Sequence, residues 1–184
     1  MDSILELDAR LSNQMRVADK PGALRAIAAF LAHSGDSWFW AIGLLAMWIS
    51  GGSFWKEWAV VQLGSISVLA AVVLLIKFRI KRKRPEGEWG RIYRLSDPHS
   101  FPSGHAARAF LIATIAAGLG PPGLALALWI WAPLVALARV AMGVHYLSDI
   151  VAGALFGMVV ALIGLQVYPP LFHWIFGVLG FSFW

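Results

Sequence analysis

The 184-residue chain contains no cysteine, which excludes disulfides and thiolate chemistry and leaves the compartment open. Charge is sparse as well: Asp, Glu, Lys and Arg make up 14% of the residues, against roughly one quarter in an ordinary soluble domain. Long stretches carry none. Trp58 to Ile76 is 19 residues without a charge, Ala109 to Ala138 is 30, and Ile150 to Trp184 is 35 with only His173 interrupting. No internal repeat or linker is visible, so a single domain over 1–184 is expected. The first twenty residues do not read as a cleavable signal peptide, because Asp2, Glu6, Asp8, Arg10, Arg16 and Lys20 punctuate them. Membrane targeting is expected to come from the spans themselves.

What replaces charge is apolar surface: 59% hydrophobic residues, a mean hydropathy of +0.71 and ten tryptophans. Each uncharged run is long enough to cross a bilayer. Trp38, Trp40, Trp55, Trp58, Trp174 and Trp184 stand at or near the run ends, where interfacial anchoring puts them. The expected fold is all-α, a polytopic membrane helix bundle of five to six transmembrane helices with an N-terminal amphipathic helix. Within 1–20, Ile4, Leu5, Leu7, Leu11, Met15 and Val17 lie among charged residues, the pattern of a helix on the membrane surface. Pro21-Gly22 ends it, and a short apolar helix follows. Spans are expected at 37–50, about 57–78, 103–120, 124–142 and 145–167, the last stopped by Tyr168-Pro169-Pro170.

Eight of the fifteen Lys and Arg lie between Lys77 and Arg94. Because a span directly precedes them, anionic headgroups or a phosphorylated substrate are expected partners, and nucleic acid is not. Alternating the spans brings three polar groups to one face: Lys77 with Arg84-Pro85, Pro102-Ser103-Gly104-His105, and Arg139 with His145 and Asp149. Ionisable residues at membrane depth are costly and mark function. Ser103 is a preferred N-cap and Gly104 admits a close ligand, so free N–H groups and the helix dipole face an anion beside His105. His145 and Asp149, four apart, share a helix face. The carboxylate can hold one imidazole nitrogen and leave the other to attack or to take a proton.

His105 is then an opposing acid, and Lys77, Arg84 and Arg139 supply charge for phosphoryl oxygens. The same residues also fit a structural hydrogen bond between His145 and Asp149, or a metal site shared with His105. Arg79, Lys81, Arg82 and Lys83 read as a solvated or headgroup-facing run. Arg108, three residues after His105, is expected to pair with Asp36, Asp149 or the substrate. Arg91 and Arg94 read as loop cations, with the second phosphate of a diphosphate as the other reading.

Together these residues resemble the type 2 phosphatidic acid phosphatase superfamily of membrane lipid phosphatases. Its lysine, six residues, arginine-proline motif appears as Lys77 to Arg84-Pro85, its Pro-Ser-Gly-His as 102–105, and its third motif as Ala138-Arg139, His145 and Asp149. Ala138 departs from the family's serine, so one phosphate hydrogen bond that the family pattern implies is absent, a change expected to bear on affinity more than on mechanism. The resemblance implies His145 as the nucleophile forming a phosphohistidine, Asp149 as its orienting partner and His105 as the general acid. It implies Lys77, Arg84, Ser103, Gly104 and Arg139 as phosphate ligands, catalytic motifs within 77–149, and neither metal nor organic cofactor.

The expected activity is dephosphorylation of a membrane lipid phosphate or diphosphate. Undecaprenyl diphosphate is preferred, with phosphatidylglycerophosphate or phosphatidic acid next. The contrasting class is a protein that binds or transports such lipids without hydrolysis. A positive-inside count places the basic loop in the cytoplasm, whereas the resemblance implies a site on the extracytoplasmic face of the inner membrane; because the chemistry occupies those cations, the latter is expected.

Overall fold

The computed structural model describes residues 2–87, 89 and 97–179. Among them are seven helices: α1 (Asp2–Gln14), α2 (Ala23–Ser34), α3 (Ser37–Ser50), α4 (Ser53–Ile80), α5 (Gly104–Leu119), α6 (Pro122–Ala141) and α7 (Leu147–Leu179). By length and composition, Ser53–Ile80, Pro122–Ala141 and the Leu147–Tyr168 part of α7 can each cross a membrane, while α2, α3 and α5 are shorter apolar helices. Other than one isolated bridge between Lys83 and His99, no β-pairing occurs among the described residues.

Helix α5 runs through the centre. Residues Ala106–Ala116 of this helix are buried except for the half-buried Phe110, and its principal neighbours are α6 and α7. Glycine on α7 permits this approach: a side chain at Gly157 would collide with the Ala107 carbonyl, and one at Gly153 with that of Ser103. Such small-residue seams let helix backbones meet where the hydrophobic effect offers little drive. Leu69 of α4, Leu111, Ile112 and Ile115 of α5 and Val135 of α6 fill the interior. The large exposed side chains, such as Leu75, Ile130 and Leu162, point outward, as lipid-facing residues must.

Two boundaries differ from expectation. Helix α1 ends at Gln14, ahead of Pro21-Gly22, and the chain leaves it with Val17 N donating to the Ala141 carbonyl at 2.8 Å. Tyr168-Pro169-Pro170 does not stop α7, which continues to Leu179. A proline removes one N–H and crowds the preceding turn, but it leaves the rest of the helical ladder intact. Apolar membrane helices tolerate it better than soluble ones. Trp184 and the rest of the final aromatic stretch beyond Leu179 lie outside the described residues.

Candidate active site

Four chain segments meet at one end of the bundle. The last turn of α4 supplies Lys77; Lys81, in the left-handed region at φ 53°, then turns the chain out of the helix. The strand-like 82–85 segment is pinned by Ser100, whose N donates to Arg82 O at 2.8 Å and whose Oγ donates to Lys83 O at 3.2 Å, while Lys77 Nζ donates to the neighbouring His99 O at 2.9 Å. The start of α5 is tied to α7 by Ser103 N donating to Asp149 O at 3.0 Å. The α6–α7 bend, with Gly143 at φ 67°, delivers His145 and Asp149. The linker between α2 and α3 completes the ring. A cavity of about 270 Å³ lies between them, lined at its polar end by Lys77, Arg84, Asp97, Gly104, His105, Arg108 and His145.

His145 and Asp149 are essentially fully buried, with side chains 1% and 0% exposed. Arg84 NH1 lies 3.0 Å from His145 Nε2 and donates to it, since a guanidinium has only donors. Nε2 therefore carries the lone pair and Nδ1 the proton, which faces Asp149 Oδ2 at 3.4 Å. Burial, with the nearby Arg84 and Arg139, outweighs the Asp149 carboxylate and pushes His145 down to about 3. Its imidazole is neutral at physiological pH, as a nucleophile requires. Asp149 is fixed from two further sides, by Tyr146 N at 2.9 Å and Arg82 NH1 at 2.7 Å.

Arg82 is thus not the headgroup-facing cation expected from sequence. Its guanidinium bonds Asp149, Asp8 at 2.8 Å and Ser148 at 2.6 Å, and stacks 4.1 Å over Tyr146. The reason is the left-handed turn at Lys81, which redirects residue 82 over the N-terminus of α7. Asp8 of α1 also accepts from Ser148 N at 3.1 Å, so the N-terminal helix is anchored beside Asp149.

Asp97 sits among the expected phosphate ligands. Its carboxylate accepts from Lys77 Nζ and, at 2.8 Å, from Arg84 NH2, while Arg84 Nε donates to its backbone carbonyl at 2.7 Å. Burial would raise this carboxyl, but Lys77 and Arg84 more than offset it and hold it below the usual range.

Across the cavity His105 Nε2 lies 2.7 Å from Asp36 Oδ1, whose other oxygen meets His33 Nδ1 at 3.0 Å. Arg108 is close by, as expected, but its fork holds the residues on either side of Asp36. It donates to the Gly35 carbonyl through Nε at 2.9 Å and through NH2, and to Ser37 Oγ at 2.5 Å. Two imidazoles already occupy the Asp36 carboxylate.

The remaining expected residues divide. Gly104 lines the cavity, and Arg139 is fully buried at the end of α6. Ser103 is fully buried and caps α5, its Oγ accepting from Ala106 N at 3.4 Å, and it does not line the cavity. Ala138 packs among Ala18, Ala28, Ala32 and Met142. Arg91 and Arg94 lie outside the described residues. No group of three or more His, Asp or Glu suited to a metal ion occurs among the described residues. Sequence reasoning missed Asp97, Arg82, Asp8 and the contact of Asp36 with His105. With ten acidic residues in the chain, an aspartate flanked by apolar helices at 36 was the available signal.

Comparison with known proteins fits this geometry. Over residues 58–172 the chain matches the PAP2 superfamily. It is 34% identical over 164 residues to decaprenylphosphoryl-5-phosphoribose phosphatase of Mycobacterium tuberculosis, covering 86% of this chain and 88% of that one. The probable lipid phosphate phosphatase beta of Arabidopsis thaliana is 28% identical, with 89% of each chain covered. Among solved structures, LpxE of Aquifex aeolicus superposes with a TM-score of 0.69 at 27% identity, over 88% of this chain and 94% of that one. The PAP2-type phosphatidylglycerolphosphate phosphatase of Bacillus subtilis gives the same TM-score at 20% identity over 92% and 88%, a likeness of fold. With more than half its length matched and its three motifs gathered around one cavity, the chain belongs to the PAP2 superfamily and is a membrane phosphatase.

Proposed function

We propose that this phosphatase dephosphorylates a polyprenyl-linked phosphate through a phosphohistidine on His145, without a metal. The observation that carries the lipid assignment is the shape of the cavity. Its polar end holds Lys77, Arg84 and the two histidines, and its wall continues along α4 as Ile66, Leu69, Ala70, Val73 and Leu74. Those five positions repeat at helical spacing and form one apolar stripe ending at Lys77. A phosphate at the cations therefore has its tail laid along α4 towards the bilayer. Helix α5, 16 residues or about 24 Å long, is shorter than the roughly 30 Å hydrocarbon core, which favours a recessed site.

In the first step the His145 Nε2 lone pair attacks phosphorus and the bond to the leaving oxygen breaks. His105 gives that oxygen its proton. A phosphoryl oxygen is a better acceptor for Arg84 than an imidazole nitrogen, so substrate binding turns the guanidinium away from the nucleophile. In the second step water attacks the phosphohistidine, its proton passes to His105, and phosphate departs. Lys77, Arg84 and Arg139 stabilise the charge on the transferred group.

Five to six of the helices span the membrane in this proposal, and α1 lies at the interface. Its exposed Ile4, Leu5, Leu7 and Leu11 face lipid while Asp8 and Ser12 face the protein. We place the site on the extracytoplasmic face of the inner membrane; the burial of Lys77 and Arg84 in the cavity takes those two cations out of the loop-charge bias that points the other way.

The test is phosphate release in detergent with EDTA present, comparing the unmodified chain with His145→Ala. Its substrates are decaprenylphosphoryl-5-phosphoribose, undecaprenyl diphosphate, phosphatidylglycerophosphate and phosphatidic acid. The expected result is EDTA-resistant release, greatest for a polyprenyl substrate and lost in the variant. Release that persists in His145→Ala, or that EDTA abolishes, overturns the proposal.

A further inference from the structure

The linker between α2 and α3 lies outside the three motifs, yet it supplies the group in direct contact with His105. We propose that Asp36, steadied by His33, is a positioning residue for the acid, which makes the site a pair of His–Asp couples facing each other. This rests on the reading of His105 as the acid in the phosphohistidine mechanism.

Three independent observations support it. First, the geometry is specific: Asp36 Oδ1 is 2.7 Å from His105 Nε2, and Oδ2 is 3.0 Å from His33 Nδ1, so each carboxylate oxygen is fixed by one ring. Second, the linker is locked against α5. Arg108, one turn after His105, binds the Gly35 carbonyl and Ser37 Oγ, immediately before and after Asp36. Third, the backbone has been brought as close as glycine allows. A Cβ at Gly35 would lie 2.7 Å from Val135 Cγ1 and 3.4 Å from His105 Cδ2. An arginine and a glycine are thus committed to holding one carboxylate against one imidazole.

The chemistry follows from what a carboxylate can do. An ionised Asp36 is an acceptor only, so Nε2 of His105 carries the proton of that hydrogen bond. The proton exchanged with the leaving oxygen is therefore the one on Nδ1. When Nδ1 is protonated the ring is an imidazolium, and the adjacent carboxylate stabilises it. Once the proton has passed to the leaving oxygen, the neutral ring stays bonded to Asp36 through Nε2–H. The attacking water returns a proton to Nδ1 in the second step, and the cycle balances.

The charged and titratable groups facing His105 have opposing effects. Burial comes first in disfavouring the imidazolium, followed by Arg139 on α6 and Arg108 on its own helix. Across the cavity Lys77, Arg84, Asp97 and His145 complete the set. Against them stands Asp36, whose carboxylate bonds the ring and favours the protonated acid. Removing it must shift the acid towards its neutral form, which moves the alkaline limb of activity to lower pH.

The experiment compares Asp36→Asn, Asp36→Glu, His33→Gln and His145→Gln with the unmodified chain on two detergent-solubilised substrates of equal tail length. One is an alkyl phosphate, whose leaving alkoxide needs protonation. The other is an alkyl-tailed nitrophenyl phosphate, whose leaving group does not. Asp36→Asn is expected to lower kcat on the alkyl phosphate by about 10- to 100-fold with KM little changed, and on the nitrophenyl ester by less than about threefold, since general-acid assistance is worth ~10²–10⁴. Its alkaline limb moves to lower pH, and Asp36→Glu recovers part of the loss. His33→Gln, at a side chain 53% exposed and tolerant of change, is expected to show the same selectivity at about two- to fivefold.

Equal loss on both substrates in Asp36→Asn and His33→Gln, or none on either, overturns the proposal while leaving the phosphohistidine reading standing. Undiminished turnover of both substrates by His145→Gln overturns that reading, and the proposal with it.

Discussion

The two sides of the cavity solve the same problem with different means. On one side His145 and Asp149 are sealed, and Asp149 is held by the Tyr146 amide and by Arg82, itself tied to Asp8. On the other His105 and Asp36 keep 16% and 13% of their side-chain surface, and their outer anchor, His33, reaches solvent. Two arginines crowd each ring, Arg84 and Arg139 at His145 and Arg139 and Arg108 at His105. What separates the proposed nucleophile from the proposed acid is the small opening left at His105 and which ring nitrogen the aspartate takes: Nδ1 in His145, Nε2 in His105.

The largest expected effect removes one side altogether. His145→Gln should abolish phosphate release and any acid-labile phosphoenzyme trapped by rapid quench, a loss of at least about 10⁴-fold. Asp149→Asn should fall almost as far, because an amide no longer dictates the tautomer. If Asp149→Asn kept near-full activity, the carboxylate would not be what aims His145 and the symmetry between the two sides would be lost.

The next prediction tests how each side is supported. Arg82→Met leaves Asp149, at 0% exposure, with one anchor fewer and releases Asp8. Breaking such a buried pair costs about 3 kcal/mol, which a thermal melt in detergent resolves. We expect kcat to drop about tenfold with it, and Asp8→Asn to add little in the double variant, since both act through one network. Gly35→Ala is the matching change on the acid side. It forces Val135 or the linker to move, at roughly 1–3 kcal/mol. Its activity loss should show the leaving-group selectivity expected of Asp36→Asn, whereas that of Arg82→Met should not.

These supports mark where sequence reasoning stopped. Lys77, Arg84, Gly104, His105, His145 and Asp149 were legible because each belongs to a fixed local spacing, and helices of bilayer length bring such spacings to one face. Asp36 is 69 residues from His105, Asp97 is 20 from Lys77, and Asp8 is 74 from Arg82. No periodicity links members of these pairs; only the packed bundle does. Arg82 was misread because a charge run looks solvated until a single left-handed residue, Lys81, turns one member inward. The prolines in α7 misled for a related reason: the rule for stopping a helix is calibrated in water.

A smaller effect separates binding from chemistry on the nucleophile side. Asp97 neutralises Lys77 and Arg84, the cations that phosphate must engage. Asp97→Asn should lower KM several-fold with kcat nearly unchanged, measured by steady-state release at fixed detergent. A rise in KM would mean that Asp97 orients the two cations for substrate and does not compete with it.

The smallest effect concerns stability against pH, and its sign is fixed by the direction of each shift. His145, pushed down to about 3, stays neutral in the folded protein while the unfolded chain binds a proton below about 6.5, so stability declines as pH falls through that window. Asp36 and Asp97 are shifted down as well. Burial raises both carboxyls, but His105 and His33 on Asp36, and Lys77 and Arg84 on Asp97, outweigh it. A carboxyl lowered in the folded state contributes stability that is fully present above about 3.9 and disappears as pH falls through its folded value. The melting temperatures of Asp36→Asn and Asp97→Asn should therefore lie below that of the unmodified chain at pH 7 and converge on it below pH ~4. The gap at pH 7 should be wider for Asp36, 13% exposed, than for Asp97, 38% exposed, because solvent screens the latter. A wider gap for Asp97 would make the nucleophile side the one whose ionic contacts hold the fold, and the linker a purely catalytic support.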